Sequence, residues 1–167
     1  MKYRKAALKD AKGIAKVLKE SYNIKDLKEG LEVFKFEREK HHHYIVAVDT
    51  RTESGTNSIG KGKIVGLVTW LIHGLPKHQL AELDRIAVLP EYMGKGVAKG
   101  LFDELIKDAT AFYKKKKSKL RKLYLLTHED NKRAHKFYEK LGFKHEVTLK
   151  EHYYKDRHEH VFSMFFD

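Results

Sequence analysis

The apolar residues of the N-terminal part change their spacing several times. Met1 to Ala6 reads as a short strand. Ile14, Val17, Leu18 and Tyr22 then share one helical face, and Leu27, Leu31, Phe34 and Arg38 continue as a second helix. Tyr44 to Val48 returns to a β-rich run. The polar stretch Thr50 to Gly62, with Ser54, Gly55, Asn57, Ser58 and Gly60, predicts a turn before the strand Ile64 to Ile72, so these two strands should pair as a hairpin. A strand from about Leu80 to Leu89 stops at Pro90. It passes through glycines into a helix with Leu101, Phe102, Leu105, Ile106, Ala109, Phe112 and Tyr113 on one side. Leu123 to Thr127 is the next strand. Asp130 or Asn131 can cap a short helix bearing Ala134, Phe137, Tyr138 and Leu141, with Gly142 placed to close it in the left-handed conformation. Val147 to Leu149 and His160 to Phe166 read as the last strands. The order is βααββ followed by βαβαββ, which predicts a mixed α/β sheet.

The chain has 167 residues, with no internal repeat or proline-rich linker, and its two prolines, Pro76 and Pro90, stand where one segment hands over to another. A single domain over residues 1–167 is expected, and a 41% hydrophobic content suffices for a core. Lysine and arginine number 35 against 23 acids, a formal net charge of +12, which points to an anionic partner: nucleic acid, an anionic membrane or a phosphate-rich cofactor. The absence of cysteine excludes disulfides, thiolate zinc sites and a cysteine nucleophile, so any reacting thiol must come from a cofactor. The charged first twenty residues leave no signal-peptide core, and the longest apolar run, Ile64 to Ile72, falls far below the roughly 20 residues of a bilayer span. A cytoplasmic protein without a membrane partner is the expectation. Lys114 to Lys117 suit the negative end of a helix dipole. His41-His42-His43 and His158-x-His160 lack the spaced carboxylates or thiols of a metal site, and adjacent histidines in a strand point to opposite faces, so no metal is expected. Basic charge with Tyr22, Tyr44, Tyr153 and Tyr154 suits RNA, but no recognised RNA-binding signature accompanies it.

Chemistry concentrates in Leu83-Asp84-Arg85-Ile86-Ala87-Val88-Leu89-Pro90-Glu91-Tyr92-Met93-Gly94-Lys95-Gly96-Val97-Ala98, where a strand delivers a glycine-rich turn to a helix N-terminus. Glycines there let backbone N–H groups converge on a diphosphate, although a tight strand-to-helix turn needs glycine for steric reasons alone. The spacing fits neither a Walker loop nor the Gly-x-Gly-x-x-Gly dinucleotide fingerprint, since Lys99 stands where the third glycine would be. Met93-Gly94-Lys95-Gly96-Val97-Ala98 resembles the acetyl-CoA pyrophosphate loop of the GNAT superfamily of N-acetyltransferases, Arg/Gln-x-x-Gly-x-Gly/Ala, with Met93 departing from its first position. Ile86, Ala87 and Val88 are similar to the family strand whose backbone pairs with the pantetheine arm. Asn131-Lys132-Arg133-Ala134-His135-Lys136-Phe137-Tyr138-Glu139-Lys140-Leu141-Gly142-Phe143 resembles the family's Asn-x-x-Ala-x-x-Phe/Leu-Tyr-x-x-x-Gly-Phe helix. The resemblance implies a mostly antiparallel sheet of six to seven strands, splayed between the fourth and fifth, with about four helices. It is specific between about Leu80 and Phe143.

Acetyl transfer from a thioester to an amine needs a deprotonated amine, a polarised carbonyl and a proton for the departing thiolate. The resemblance gives Tyr138 the last role; the plainer reading is a buried aromatic on the face shared with Ala134 and Leu141. Asn131 is either a cofactor-binding amide or a helix N-cap. Glu82 and Asp84, two apart on one strand, point to the same face. Glu82 stands fourteen residues before Gly96, the offset at which the resemblance implies a general-base carboxylate, and a neighbouring carboxylate would raise its pKa toward the working range, which favours it as base with Asp84 second; solvated or lysine-paired carboxylates and a water relay remain open. The expected cosubstrate is acetyl-CoA and the expected acceptor a primary amine of a small molecule or a peptide N-terminus, handled by a monomer or homodimer. The family builds its acceptor cleft from variable regions, here Asn23 to Lys40 and Gly74 to Gln79. The alternative is a non-catalytic or nucleic-acid-associated domain of the same fold.

Overall fold

A computed structural model describes residues 1–51 and 62–167 of the chain. The expected turn region Thr50 to Gly62 therefore lies mostly outside the described residues. Two compact units divide the chain: Met1–Leu71 with Arg85–Asp108, and Ile72–Asp84 with Ala109–Asp167.

In the first unit, β1 (Lys2–Lys5) pairs antiparallel with β2 (His43–Asp49), and β2 pairs antiparallel with β3 (Lys63–Ile72), which is the expected hairpin. Every β2 residue after His43 is buried, as are Ile64 to Trp70 of β3. Their apolar runs are accordingly continuous, the pattern of strands covered on both faces. Ile14, Ala15, Val17 and Leu18 of α1 (Ala11–Ser21) enter this core. In α2 (Leu27–Glu39), Asp26 caps the first turn by accepting from the Glu29 N–H at 2.9 Å. The buried stripe of α2 is Gly30, Phe34 and Glu37, whereas Leu27, expected on the inner face, is exposed. The reason is a close helix approach: a Cβ at Gly30 would lie 2.9 Å from the Ala15 carbonyl oxygen, so the helix turns its smallest residue, not its first leucine, toward α1.

Of β4 (Leu80–Val88), the part in the second unit, Leu80 to Asp84, pairs in parallel with β5 (Lys122–His128), Leu80 to Glu82 lying opposite Lys122 to Tyr124. β5 pairs antiparallel with β7 (Arg157–Phe165), and β7 with β6 (Lys144–Tyr154). The sheet order is β1-β2-β3-β4-β5-β7-β6, with α3 (Val97–Lys115) following β4 and α4 (Lys132–Leu141) following β5. The β6 strand extends well beyond the expected Val147 to Leu149, and none of its residues is buried. Its hydrogen-bond ladder to β7 creates it, and a polar edge strand leaves almost no hydrophobic period to read. Among the described residues, no helix is long and apolar enough to cross a membrane.

Trp70 is fully buried, stacks on His43 with ring centroids 4.0 Å apart, and donates its indole N–H to Asp108 at 3.1 Å. Lys5 Nζ reaches the same carboxylate at 2.6 Å. Burial pushes the Asp108 carboxyl up, but hydrogen bonds from His43, Lys5 and Trp70 outweigh it and hold the pKa at about 2. A depressed carboxyl pKa stabilises the fold above its unfolded value and ceases to as pH falls through the folded one. Asp108→Asn should therefore cost about 2 kcal/mol at pH 7, and the difference should shrink as the pH falls from about 4 to 2. Urea unfolding of both proteins across that range checks it.

Candidate active site

The end of β4 runs through the single 3-10 turn Pro90–Tyr92 to Met93 and then to the start of α3 at Val97. Gly94 and Gly96 have φ of 73° and 78°, values that L side chains rarely adopt. A Cβ built at either glycine would meet nothing within 4 Å, so backbone conformation rather than crowding selects glycine, and the loop faces open space. Val97 and Ala98 begin α3, whose first turn is set when the Gly100 N–H donates to the Gly96 carbonyl at 3.0 Å. The free N–H groups of a helix start and its dipole favour an anion there. Lys95 Nζ lies 5.6 Å from the Tyr92 ring centroid and adds positive charge beside the loop, while Lys63 Nζ, 5.3 Å from the same ring, is paired with Glu91 at 2.8 Å. An open, glycine-lined, positive loop fits a diphosphate.

Upstream in the same unit, Ile86, Ala87 and Val88 form the last part of β4. The Ile86 carbonyl accepts from the Tyr22 hydroxyl at 3.2 Å, and the Arg85 guanidinium lies 4.9 Å from the Tyr22 ring centroid. Arg85 Nη2 donates at 2.8 Å to Oε1 of the buried Glu37, whose Oε2 accepts from the Tyr44 hydroxyl. These contacts fix the course of β4 just before the glycine loop.

The second unit holds the remaining predicted residues. Along β4, Ala81 and Leu83 are buried while Glu82 and Asp84 are half-buried, the alternation that puts both carboxylates on one face. Glu82 Oε2 accepts from the Tyr124 hydroxyl at 3.0 Å and lies 2.5 Å from His73 Nε2. Burial, then the charge of Glu82, pushes the Tyr124 phenol well up, so Tyr124 stays a donor. No sequence motif singles out His73 or Tyr124. Tyr124 faces Glu82 through the parallel register, which no local spacing encodes; the signal available for His73 was its place before the Gly74 turn that returns the chain to Glu82.

Asn131 Oδ1 accepts from the Ala134 N–H at 3.2 Å, so Asn131, rather than Asp130, is the N-cap of α4. Gly142 closes that helix at φ 101°. The Tyr138 ring is buried, with centroids of Phe143 and Phe162 at 5.8 and 6.3 Å. His135, also unanticipated, is buried, meets the His128 carbonyl at 2.9 Å and stacks on His160 at 4.9 Å. Burial first, then His145 and His135, pushes the His160 imidazole below its usual range.

The profile of the Acetyltransferase (GNAT) family matches residues 11–143. The chain therefore belongs to the GNAT family of acetyltransferases. It is 34% identical over 92 residues to N-acetylaspartate synthetase of Xenopus tropicalis, a match covering 55% of this chain and 31% of that protein, so the chain aligns with under a third of that relative's length. Its fold is shared with a ribosomal-protein-alanine N-acetyltransferase from Brucella melitensis, at a TM-score of 0.72 and 17% identity over 99% of this chain and 100% of that one. It is shared too with the spermidine/spermine N-acetyltransferase SpeG from Vibrio cholerae, at a TM-score of 0.69 and 22% identity over 98% and 91%.

Asn131→Ala removes the α4 cap and should cost about 1 kcal/mol of stability. Chemical denaturation measures this, and a cost near zero would leave the cap without energetic weight.

Proposed function

We propose that this protein transfers an acetyl group from acetyl-CoA directly to a primary amine, without an acyl-enzyme intermediate. The observation that carries the reading is the open loop Met93–Ala98 at the start of α3, in a chain of the GNAT family. Backbone N–H groups of Gly94, Lys95, Gly96, Val97 and Ala98 would hold the pyrophosphate, so Met93 in place of Arg or Gln removes a side-chain contact and leaves the main-chain cradle. Ile86, Ala87 and Val88 would pair with the pantetheine arm; the β4–β5 ladder of only three residue pairs, Leu80 to Glu82, supports a splay that frees backbone groups for this. When bound, the cosubstrate supplies a thioester carbonyl activated toward nucleophiles. Asn131 and Ala134 would contact it at the head of α4, where the cap already fixes the Asn131 side chain.

The Tyr138 hydroxyl is assigned the proton that the departing thiolate needs, and its buried ring gives that hydroxyl a fixed direction. Glu82 is assigned to removal of the amine's proton, with Asp84, on the same face, as second carboxylate. The named relatives act on a protein alanine and on polyamines. The net charge of +12 favours an acceptor of low positive charge, a small amine or a peptide N-terminus, over a free polycation. The proposed setting is the cytoplasm, with a monomer or homodimer carrying out the reaction.

Gly96→Asp places bulk and negative charge in the cradle and should abolish acetyl-CoA binding by calorimetry; a folded variant that binds as tightly as the parent would remove the loop from the site. Tyr138→Phe should keep acetyl-CoA affinity and lower kcat by about 10²- to 10⁴-fold. An unchanged kcat with chemistry rate-limiting would reduce Tyr138 to packing.

A further inference from the structure

The proton-transfer end of the second unit contains more than one carboxylate. Glu82 Oε2 is held between two partners, the Tyr124 hydroxyl at 3.0 Å and His73 Nε2 at 2.5 Å, and the His73 and Tyr124 ring centroids are 5.4 Å apart. An ionised carboxylate can only accept hydrogen bonds, so both partners must donate. The hydrogen of a neutral His73 imidazole therefore sits on Nε2, and Nδ1 carries the lone pair. Among the described residues, Nδ1 makes no hydrogen bond. The His73 side chain is 40% exposed against 14% for Glu82, so the imidazole is the more accessible end of the pair.

His73 is held from its backbone as well. Its N–H donates to the Leu80 carbonyl at 3.0 Å across a turn that Gly74 makes at φ 67°, and the His78 ring accepts from the Leu75 N–H at 3.1 Å. The titratable groups around the pair are Tyr124 on β5, Asp84 on the same face of β4, His78 within the turn beside His73, and Tyr153 of β6, which acts on Tyr124. We propose, resting on the acetyl-transfer reading, that Nδ1 of His73 accepts the amine's proton and that Glu82 serves its removal through the imidazole, as the positioning residue that fixes the tautomer, instead of taking the proton itself. An imidazole titrates near pH 6.5 in general and a carboxylate near about 4.3, so an imidazole is the better matched acceptor at neutral pH. In the step, an N–H bond of the acceptor ammonium breaks and an Nδ1–H bond forms. The freed lone pair attacks the thioester carbonyl and the C–N bond forms as C–S breaks; the thiolate leaves as a thiol by taking the Tyr138 proton, Tyr138 is reprotonated by the second N–H proton that the nitrogen loses, and His73 returns its one net proton to water. Glu82 stays ionised and stabilises the imidazolium, the division of labour of a carboxylate–histidine pair.

The test combines an activity-independent measurement with kinetics on the intact protein. Imidazole ¹⁵N spectra of the parent, with His73 assigned by loss of its signals in His73→Gln, should show the Nε2–H tautomer with Nδ1 taking up the proton as pH falls; an Nδ1–H tautomer overturns the proposal without any activity assay. His73→Gln keeps an N–H toward Glu82 but has no titrating group. Its kcat/KM should fall by about 10²- to 10⁴-fold near pH 7, lose the acidic limb, and recover at high pH and with added imidazole. Glu82→Gln should keep the limb with its midpoint moved. A parental profile in His73→Gln with the limb lost in Glu82→Gln returns the acceptor to Glu82, and a parental profile in both overturns the pair in favour of a water relay. Failure of the underlying reading looks different: the parent itself acetylates no primary amine while the Nε2–H tautomer persists, and the acceptor role falls with it.

Discussion

A carboxylate removed from water has to find donors, and the burial of Glu37 imposes that demand on the first unit. Tyr44 from β2 and Arg85 from β4 meet it from two strands, and Arg85 also lies over the ring of Tyr22, whose hydroxyl donates to the Ile86 carbonyl. One charge on α2 thereby ties α1, β2 and β4 together. Because removing one partner of such a group leaves another charge poorly solvated, the set holds together or fails together. Its consequence for function lies in the residues that follow: Ile86 to Val88 and the glycine loop continue from a strand whose course Arg85 has already fixed.

The same physics recurs with different outcomes. Asp108 is half-buried and surrounded by Lys5, His43 and Trp70, three partners that hold its charge and make it structural. Glu82 is less buried and meets a phenol and an imidazole, neither a permanent cation, so its charge is directed rather than neutralised. A carboxylate gripped by a lysine is committed to the fold; one gripped by an imidazole can pass its influence to a proton. That contrast distinguishes the two units more sharply than composition, since both are rich in lysine and glutamate.

Family membership and site chemistry rest on different observations. The match over residues 11–143 establishes the family, while structural relatives below 25% identity speak for the fold, which hosts varied acceptors. In the proposed site the glycine loop would depend least on side-chain identity: anion binding there would need main-chain N–H groups and room, and a Cβ at Gly94 or Gly96 would meet nothing within 4 Å. On that proposal the departure at Met93 would be tolerable.

The sequence by itself determined what depends on local spacing. Helical periods placed α1, α3 and α4; Asn131 and Gly142 marked the ends of α4; the paired glycines marked the tight turn into α3; and alternation along β4 put Glu82 and Asp84 on one face. Only the tertiary structure decided what depends on pairing across distance. The partners of Glu82 come from the far side of a turn and from a parallel neighbour forty-two residues on, as Tyr124 shows. The inner face of α2 was set by how closely α1 approaches Gly30, and the length of β6 by its ladder to β7. A hydrophobic period reports which side of an element is covered, whereas strand register and helix approach are settled by the elements on the other side, and no window along one segment contains them.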